Sequence, residues 1–417
     1  MTQKYFIDLF AGCGGLSLGL KNAGWQGVFA IERTPDAFET LKHNLIDKDI
    51  VSGFQWPEWL PCKHMTTSEL ITGYTDRLKE LNGKIDLIAG GPPCQGFSFA
   101  GRRNSNDPRN RLTEEYIQIV ELVQPTYLLL ENVKGFKVAF KQDCADKEKV
   151  YADVVKEKLE NLGYQVFHQI VNAFKFGVPQ PRARFIMIAV RKGSAVKESP
   201  FDLLESFLPQ YRKDKGLPAK KNISVRAAIS DLETSSAALI PSVDTKGFEQ
   251  IDYKKPKMPS SYQRLMRNKC AAGTAPNSLR LARHNDETLS RFNKILKSCV
   301  KGKSLTKGEL EELGTKKQCF TPLHPDMLSR TITTLPDDLL HYSEPRILTV
   351  RENARIQSFP DWFDFKGKYT TGGARRKEEC PRYSQVGNAV PPLMAEALGK
   401  IIQSWDSATP TKKAVKP

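Results

Sequence analysis

The sequence predicts a doubly wound α/β fold of the Rossmann-like type, followed by a smaller, loop-rich domain. In residues 1–190, short apolar runs with the length of buried strands alternate with amphipathic segments of helical period. The first apolar run, residues 5–10, leads into a glycine-rich turn and a helix, as in nucleotide-binding α/β folds. From residue 191 onwards the alternation fades and basic residues dominate over acidic ones. We therefore expect two domains of different architecture.

Length and charge limit the possible partners of the protein. The chain has 417 residues and a formal net charge of +16. Clustered lysine and arginine gain affinity for polyanions by releasing phosphate counterions, so this charge favours a nucleic-acid partner. No run approaches ~18 apolar residues, and no signal-peptide pattern opens the sequence, so we expect a cytoplasmic protein without membrane contact. The eight cysteines lack the spacing of a zinc site or a disulfide framework, which predicts reduced thiols and no metal.

The first strand, turn and helix have the features of a cofactor site. Gly12, Gly14 and Gly15 follow the strand and let the backbone approach a ligand closely, while the first N–H groups of the helix attract negative charge. A second strand ends at Glu32, close to the ~20-residue offset at which an acidic side chain accepts hydrogen bonds from ribose hydroxyls. Together these residues predict a cofactor that contains adenosine.

Side chains that can do chemistry follow the later strands. An apolar strand stops at two glycines and two prolines, and delivers Cys94 to the carboxyl edge of the sheet, where open α/β folds bind ligands. The next apolar strand ends at Glu131, and a carboxylate is expensive to bury there without a partner or a purpose. Arg182 and Arg184 enter a further apolar strand, and a spacing of two residues places them on one face.

Four motifs in this order resemble those of the DNA cytosine-5 methyltransferases: Asp-Leu-Phe-Ala-Gly-Cys-Gly-Gly at residues 8–15, Gly-Pro-Pro-Cys-Gln-Gly-Phe-Ser at 91–98, Glu-Asn-Val at 131–133 and Gln-x-Arg-x-Arg at 180–184. The resemblance implies methyl transfer from S-adenosyl-L-methionine to C5 of cytosine within a specific DNA sequence, as in bacterial restriction-modification enzymes. It implies that Cys94 attacks C6 of a flipped-out cytosine and that Glu131 holds the N3 and amino edge of that base. Arg182 and Arg184 are implied to brace the pocket and to contact the base or its backbone.

The same resemblance implies which residues bind S-adenosyl-L-methionine. Phe10 would pack on the adenine, the glycine backbone would face the methionine part, and Glu32 would hold the ribose. The full set of predicted cofactor-binding residues is Asp8, Phe10, Gly12, Gly14, Gly15, Glu32, Arg33, Pro93, Leu112, Asn388 and Ala389. The family usually carries an aspartate that contacts the adenine amino group, but this chain has Lys63-His64-Met65-Thr66 at that place, so the adenine contact stays open.

The resemblance also implies the domain boundaries. Residues 1–190 would form the doubly wound S-adenosylmethionine-dependent methyltransferase domain, and residues 191–382 the smaller, loop-rich target-recognition domain. Residues 383–405 would form a C-terminal helix that returns to the catalytic domain and closes the cofactor site. The Thr-, Pro- and Lys-rich tail, residues 406–417, is predicted to be disordered.

Two other functions stay open at this point. A branch of the family methylates cytosine in tRNA, although the long basic segment and the Gln-Gly-Phe-Ser sequence after Cys94 favour double-stranded DNA. A non-catalytic DNA-binding homologue is the second alternative, and the intact Cys94, Glu131 and Arg184 argue against it. We expect a monomer, and a companion restriction endonuclease that acts on the same DNA site is a plausible partner.

Overall fold

The computed structural model of the protein describes most of the chain: residues 3–48, 50, 53–93, 110–137, 151–193, 198–315, 317, 319–371, 375 and 379–407. Cys94, the predicted nucleophile, lies outside these residues, as does the greater part of the predicted tail. Within the described ranges, no helix is both long enough and apolar enough to cross a bilayer.

A six-stranded sheet organises the first part of the chain. Its strands are β1 (Tyr5–Leu9), β2 (Gln26–Ile31), β3 (Leu87–Gly90), β4 (Tyr127–Val133), β5 (Tyr164–Asn172) and β6 (Ala183–Arg191). The strand order is β2-β1-β3-β4-β6-β5. The pairs among β2, β1, β3 and β4 are parallel, whereas β6 runs antiparallel to both β4 and β5. The carboxyl ends of four parallel strands therefore meet at one edge of the sheet.

Helices surround the sheet and build the basic region. They are α1 (Gly15–Asn22), α2 (Pro35–Lys42), α3 (Thr67–Glu80), α4 (Asn110–Val123), α5 (Tyr151–Asn161), α6 (Pro200–Asp214), α7 (Val225–Ile229), α8 (Ser261–Met266), α9 (Asp286–Ser298), α10 (Lys307–Glu312), α11 (Val350–Ile356), α12 (Arg382–Asn388) and α13 (Pro392–Ser407). A π-helical turn, His43–Asp47, continues α2.

Both faces of the sheet are covered, because successive strand residues point to opposite sides. Phe6 and Leu129 join the apolar cluster under α1, α6 and α13, whereas Ile7 and Leu128 join the cluster under α3, α4 and α5. This arrangement is the doubly wound layering that the apolar strands predict.

Helix α13 packs directly against α1, although about 375 residues separate the two in the chain. The contact depends on a missing side chain, since a Cβ atom on Gly19 would overlap Ala395. A Cβ atom on Gly15 would likewise overlap the carbonyl of Val390. Helix α13 therefore fixes the helix that follows the glycine-rich turn.

The basic region, defined here as residues 198–371, combines helices with very short strands. Its strands are β7 (Leu239–Pro241), β8 (Glu249–Ile251), β9 (Thr321–Pro322) and β10 (Leu339–Leu340), of which β7 and β8 pair antiparallel and β9 and β10 pair parallel. Arg355 is fully buried and pairs with Asp231 at 2.9 Å and with Asp361 at 2.6 Å. Buried charge thus contributes to the interior of this region alongside small apolar clusters.

Candidate active site and cofactor pocket

The strand register places the predicted site residues next to one another along one edge of the sheet. Four residues are paired across the parallel strands: Ile31, Leu9, Gly90 and Leu130. The residues that follow them, Glu32, Phe10, Gly91 and Glu131, therefore form a row along the carboxyl edge of the sheet. This is the edge at which open α/β sheets bind ligands.

Glu32 holds the glycine-rich turn. Its carboxylate accepts hydrogen bonds from the backbone N–H of Gly12 at 3.0 Å and from that of Thr34 at 2.8 Å. Gly12 has φ 56°, a conformation that favours glycine, and a Cβ atom added there would meet no described atom within 4 Å. The turn therefore borders open space beside an acidic side chain, which fits an adenosine-containing ligand.

Asp8 lies behind the turn instead of at its surface. Its side chain is fully buried, and its Oδ2 accepts a hydrogen bond from the hydroxyl of Ser17 in α1 at 2.5 Å. Burial raises the pKa of Asp8 to about 7. Its other carboxylate oxygen has no hydrogen-bond partner among the described residues. The structure therefore places this predicted cofactor-binding residue between β1 and α1, where it supports the helix.

Glu131 and Arg184 form an ion pair at the carboxyl edge. The Nε of Arg184 lies 2.9 Å from Oε1 of Glu131, and each side chain is 13% exposed. The pairing is diagonal across β4 and β6, because Arg184 stands opposite Val133, two residues from Glu131. Burial raises the pKa of Glu131, while the charges of Arg184 and Arg182 act in the opposite direction. A carboxyl group with a raised pKa is suited to donate a proton or a hydrogen bond.

Arg182 has different partners from Arg184, although the sequence predicts one shared face. Strand β6 begins at Ala183, so Arg182 precedes the strand and turns into the interior. Its guanidinium donates to the carbonyl of Ile332 at 2.8 Å and to that of Gly387 at 2.6 Å. It is 3% exposed, and its Nε finds no hydrogen-bond partner in the described part of the chain. The side chain therefore joins two backbone segments.

The start of the predicted catalytic loop lies beside Glu131. The side-chain amide of Asn132 donates to the carbonyl of Pro92 at 3.1 Å. A Cβ atom on Gly91 would stand 3.2 Å from Oε2 of Glu131. Pro93 is exposed, and Cys94 follows it outside the described residues. The described part of this loop, residues 91–93, therefore lies beside Glu131 and Asn132.

The other predicted cofactor residues border this edge in different ways. Ala389 is close to the turn, since a Cβ atom added to Gly15 would lie 3.4 Å from the Cβ of Ala389. Asn388, the last residue of α12, is exposed, as is Arg33 next to Glu32. Leu112 is half-buried in the first turn of α4. Gly14 has φ 93° and precedes α1.

The segment around His64, which lacks the family's usual aspartate, has a local structural role. The backbone N–H of Met65 donates to the carbonyl of Glu32 at 2.8 Å. Thr66 caps α3 through a capping box with Glu69, and His64 is exposed. The segment therefore lies next to the ribose-binding candidate, and which residue contacts the adenine amino group stays open.

A pair of buried glutamines was not singled out from the sequence. Gln180 donates to Oε1 of Gln357 at 2.5 Å and accepts a hydrogen bond from the backbone N–H of Ile332 at 3.0 Å. Gln357 in turn donates to the carbonyls of Val386 and Ala389 at 2.8 Å and 3.0 Å. These amides connect the arginine motif to the segment beside the cofactor turn. Gln180 is the first residue of the Gln-x-Arg-x-Arg motif and stands between two prolines, but neither feature predicts Gln357 as its partner.

Comparison with known proteins gives the family. Residues 5–404 match the model of the family described as C-5 cytosine-specific DNA methylase. The type II methyltransferase M.DdeI of Desulfomicrobium norvegicum is 32% identical over 96% of this chain and 88% of its own. The type II methyltransferase M.XorII of Xanthomonas oryzae pv. oryzae is also 32% identical, over 96% of this chain and 84% of its own.

Solved structures agree on the fold. A prophage-encoded E. coli protein described as a DNA modification methyltransferase superposes with a TM-score of 0.62 at 24% identity, over 97% of this chain and 99% of its own. The S. pombe Dnmt2 methyltransferase superposes with a TM-score of 0.54 at 18% identity, over 97% and 99%. The predicted methyltransferase fold and the predicted family are thereby confirmed. The chain belongs to the C-5 cytosine-specific DNA methylases, enzymes that transfer a methyl group from S-adenosyl-L-methionine to C5 of cytosine in DNA.

Proposed function

We propose that this methyltransferase acts on a cytosine flipped out of a specific DNA sequence, with Cys94 as the nucleophile and Glu131 as the group that contacts N3. The observation that supports this most strongly is the Glu131–Arg184 pair beside the start of the Cys94 loop. The target base must leave the duplex stack to reach such a recessed edge. Residues 191–382 are proposed to recognise the DNA sequence, and their basic side chains to contact phosphates.

Covalent catalysis overcomes the low nucleophilicity of cytosine C5. The thiolate of Cys94 adds to C6, the C5–C6 double bond opens, and C5 gains the electron density of an enamine. When bound, S-adenosyl-L-methionine would supply the electrophilic methyl group to C5, with S-adenosyl-L-homocysteine as the leaving group. Loss of the C5 proton to a base and cleavage of the C6–S bond restore the aromatic ring and the free thiol.

Glu131 stabilises the charge that develops on the base. Burial raises the pKa of its carboxyl group, which favours a form that can donate to N3 as C6 is attacked. Arg184 fixes the orientation of Glu131 through its 2.9 Å contact. Arg182 acts as a positioning residue in this proposal, because its guanidinium is engaged by the carbonyls of Ile332 and Gly387.

The cofactor is proposed to sit over the turn that Glu32 organises. Glu32 would accept the ribose hydroxyls, the amides of the turn and of α1 would face the carboxylate of the methionine part, and Phe10 would pack on the adenine. Gly14, Gly15, Arg33, Pro93, Leu112, Asn388 and Ala389 complete the proposed lining. Asp8 would contribute from behind by supporting α1 through Ser17.

The biological setting belongs to the same proposal. The relatives M.DdeI and M.XorII are type II methyltransferases, which supports a restriction-modification context with a companion endonuclease for the same site. We propose that the enzyme acts as a monomer, since methylation of one flipped base needs one catalytic site. A cytoplasmic location follows from that setting, because bacterial DNA lies there.

A trapping experiment tests the covalent step. In the presence of S-adenosyl-L-methionine, we expect duplex oligonucleotides containing 5-fluorocytosine in the target site to form a denaturant-resistant complex with the wild type, because the methylated adduct has no C5 proton for the base to remove and the thiol cannot be released. Cys94→Ser should form no such complex and transfer no methyl group, while still binding S-adenosyl-L-homocysteine. Cys319→Ser, which changes an exposed free cysteine, should behave like the wild type.

A second experiment tests which nucleic acid accepts the methyl group. Duplex DNA and tRNA are offered in parallel to the wild type with radiolabelled cofactor, and 5-methylcytosine is located by sequencing. Methylation of tRNA but not of duplex DNA would overturn the proposed substrate. Methyl transfer that survives in Cys94→Ser would overturn the proposed nucleophile.

A further inference from the structure

A cavity of about 400 Å³ lies at the end of α1 away from the glycine-rich turn. Its walls come from the last turn of α1, the segments that follow α8 and α11, and the first turns of α13. The six residue-to-residue steps from Gly15 to Lys21 separate it from the turn by about 9 Å along the helix axis. A cavity of this volume is large enough for a small organic ligand.

Lys21 is the unusual member of the cavity wall. It is 6% exposed, and its ammonium group has no hydrogen-bond partner within the described ranges. Its aromatic neighbour is the ring of Phe54, whose centroid lies 5.1 Å from Nζ. Burial lowers the pKa of Lys21 to about 8, so the group is still mostly charged at neutral pH. A buried ammonium group without hydrogen bonds destabilises the folded state unless an anion or another acceptor binds it.

Two further lysines give the cavity a positive excess. Lys215 pairs with the buried Glu396 at 2.5 Å, while Lys269 is exposed at the rim. Three lysine charges and one glutamate charge therefore leave two positive charges in the wall. Lys269 and the buried Ser358 also have positive φ angles of 67° and 66°, which are unfavourable for residues with side chains and are often kept at ligand sites.

The rest of the wall is mixed, since Asn22, Asn268 and Ser358 contribute polar groups beside several apolar side chains. Met266, Trp362 and Leu393 are buried and line the cavity beside the lysines. An inorganic ion would leave this surface without a partner, whereas an organic body would cover it. Ligand sites commonly combine such an apolar surface with a few polar groups that fix orientation.

We propose that this cavity binds a small phosphate monoester, with the dianionic phosphate between Lys21 and Lys269 and the organic body against Met266 and Trp362. The ligand is not the methyl donor or the DNA, and the site does not depend on Cys94. Because the wall combines α1 and α13 with segments of the basic region, the bound ligand holds these parts together. It therefore stabilises the arrangement of the two regions.

Phenyl phosphate and inorganic phosphate serve as probes. Binding is followed by ³¹P NMR titration of the full chain at constant ionic strength, with S-adenosyl-L-homocysteine present to fill the cofactor site. We expect phenyl phosphate to bind at least tenfold more tightly than inorganic phosphate. Lys21→Met should weaken phenyl phosphate binding at least tenfold, and Lys269→Met several-fold. Lys84→Met, which removes an exposed lysine at the turn before β3, should leave it unchanged.

Two controls separate binding from unfolding and from DNA contact. Without probe, Lys21→Met should melt at the wild-type temperature or above it, because it removes a buried charge that lacks hydrogen bonds. Adding unlabelled duplex DNA should not release phenyl phosphate. Equal affinity of the wild type and Lys21→Met, equal affinity for both probes, or release by DNA would each overturn the proposal. None of these results depends on whether Cys94 is the nucleophile.

Discussion

Arginine–carboxylate ion pairs occur both in the basic region and at the carboxyl edge of the sheet. The two regions differ in how many N–H groups of the arginine have a hydrogen-bond acceptor. In the basic region, Arg355 uses all its N–H groups: it bonds Asp231 twice, Asp361 twice and the carbonyl of Ala228 once. At the carboxyl edge of the sheet, Arg184 contacts Glu131 through Nε and the carbonyl of Ala183 through Nη1, within the described residues.

The difference indicates which pairs are scaffold and which can act on a ligand. A guanidinium whose five donors are occupied has nothing left to offer a substrate. Among the described residues, the Glu131–Arg184 pair has donors and acceptors without a hydrogen-bond partner, and each of its side chains is 13% exposed. Motif residues with spare hydrogen-bonding capacity are therefore the better candidates for chemistry, and fully bonded ones for positioning.

The largest expected effect that separates the two regions is loss of activity in Glu131→Gln. Removing the proton donor at N3 should lower the methyl transfer rate by about 10²- to 10⁴-fold, measured in single-turnover assays. The free energy of unfolding should fall less than in Glu344→Gln, because Glu131 has the one ion pair with Arg184 among the described residues, whereas Glu344 accepts from Arg346 and from the backbone N–H groups of Thr234 and Ser235. Glu344→Gln, in the buried pair with Arg346, is the matched control and should mainly reduce stability.

Arg355→Met should mainly lower the stability of the protein. It leaves Asp231 and Asp361 buried without their partner, which should lower the free energy of unfolding by about 3–5 kcal/mol. Urea denaturation followed by circular dichroism measures the change. Arg184→Met should cost far less stability, since Glu131 can still reach water; equal destabilisation by both variants would remove the distinction between the two regions.

A smaller effect is expected at the cofactor turn. Glu32→Gln removes the charge that attracts the N–H groups of Gly12 and Thr34, and a charged hydrogen bond contributes about 1.5–3 kcal/mol. Affinity for S-adenosyl-L-homocysteine should therefore fall by roughly tenfold or more, as measured by calorimetry. Glu39→Gln, on the exposed side of α2, should leave affinity unchanged.

The last effect concerns the pH dependence of stability at Lys21, a buried charge at the end of α1 away from the glycine-rich turn. Burial lowers its pKa from 10.5 to about 8, so between pH 8 and pH 10.5 the unfolded chain binds more protons than the folded one. Stability contributed by this group must then rise with pH in that window. In phosphate-free buffer, the wild type should gain stability relative to Lys21→Met between pH 8 and pH 10; a constant difference would contradict the lowered pKa.

Much of the catalytic edge could be predicted because strand ends are visible in a sequence. Apolar runs that stop at Glu32 and Glu131 predict polar groups at one edge, and parallel pairing then aligns them without further information. The predicted end of a strand was less accurate, since β4 continues through Glu131 to Val133.

Long-range partners could not be predicted from the sequence. An apolar run does not encode its direction, so the antiparallel β6 between β4 and β5 was not foreseen. The spacing of Arg182 and Arg184 predicts a common face only inside a strand, and β6 begins between them. The Gln180–Gln357 contact joins residues 177 positions apart, and nothing local in the sequence reports such a pairing.

The close contact of α1 with α13 also constrains when the enzyme can become active. During synthesis, the first helix leaves the ribosome long before the chain that covers Gly15 and Gly19 exists. Its apolar face must wait for the final helix, and contacts of such wide sequence separation form slowly. A nascent chain therefore cannot complete its cofactor turn, so newly made enzyme begins to mark DNA only after translation has passed α13.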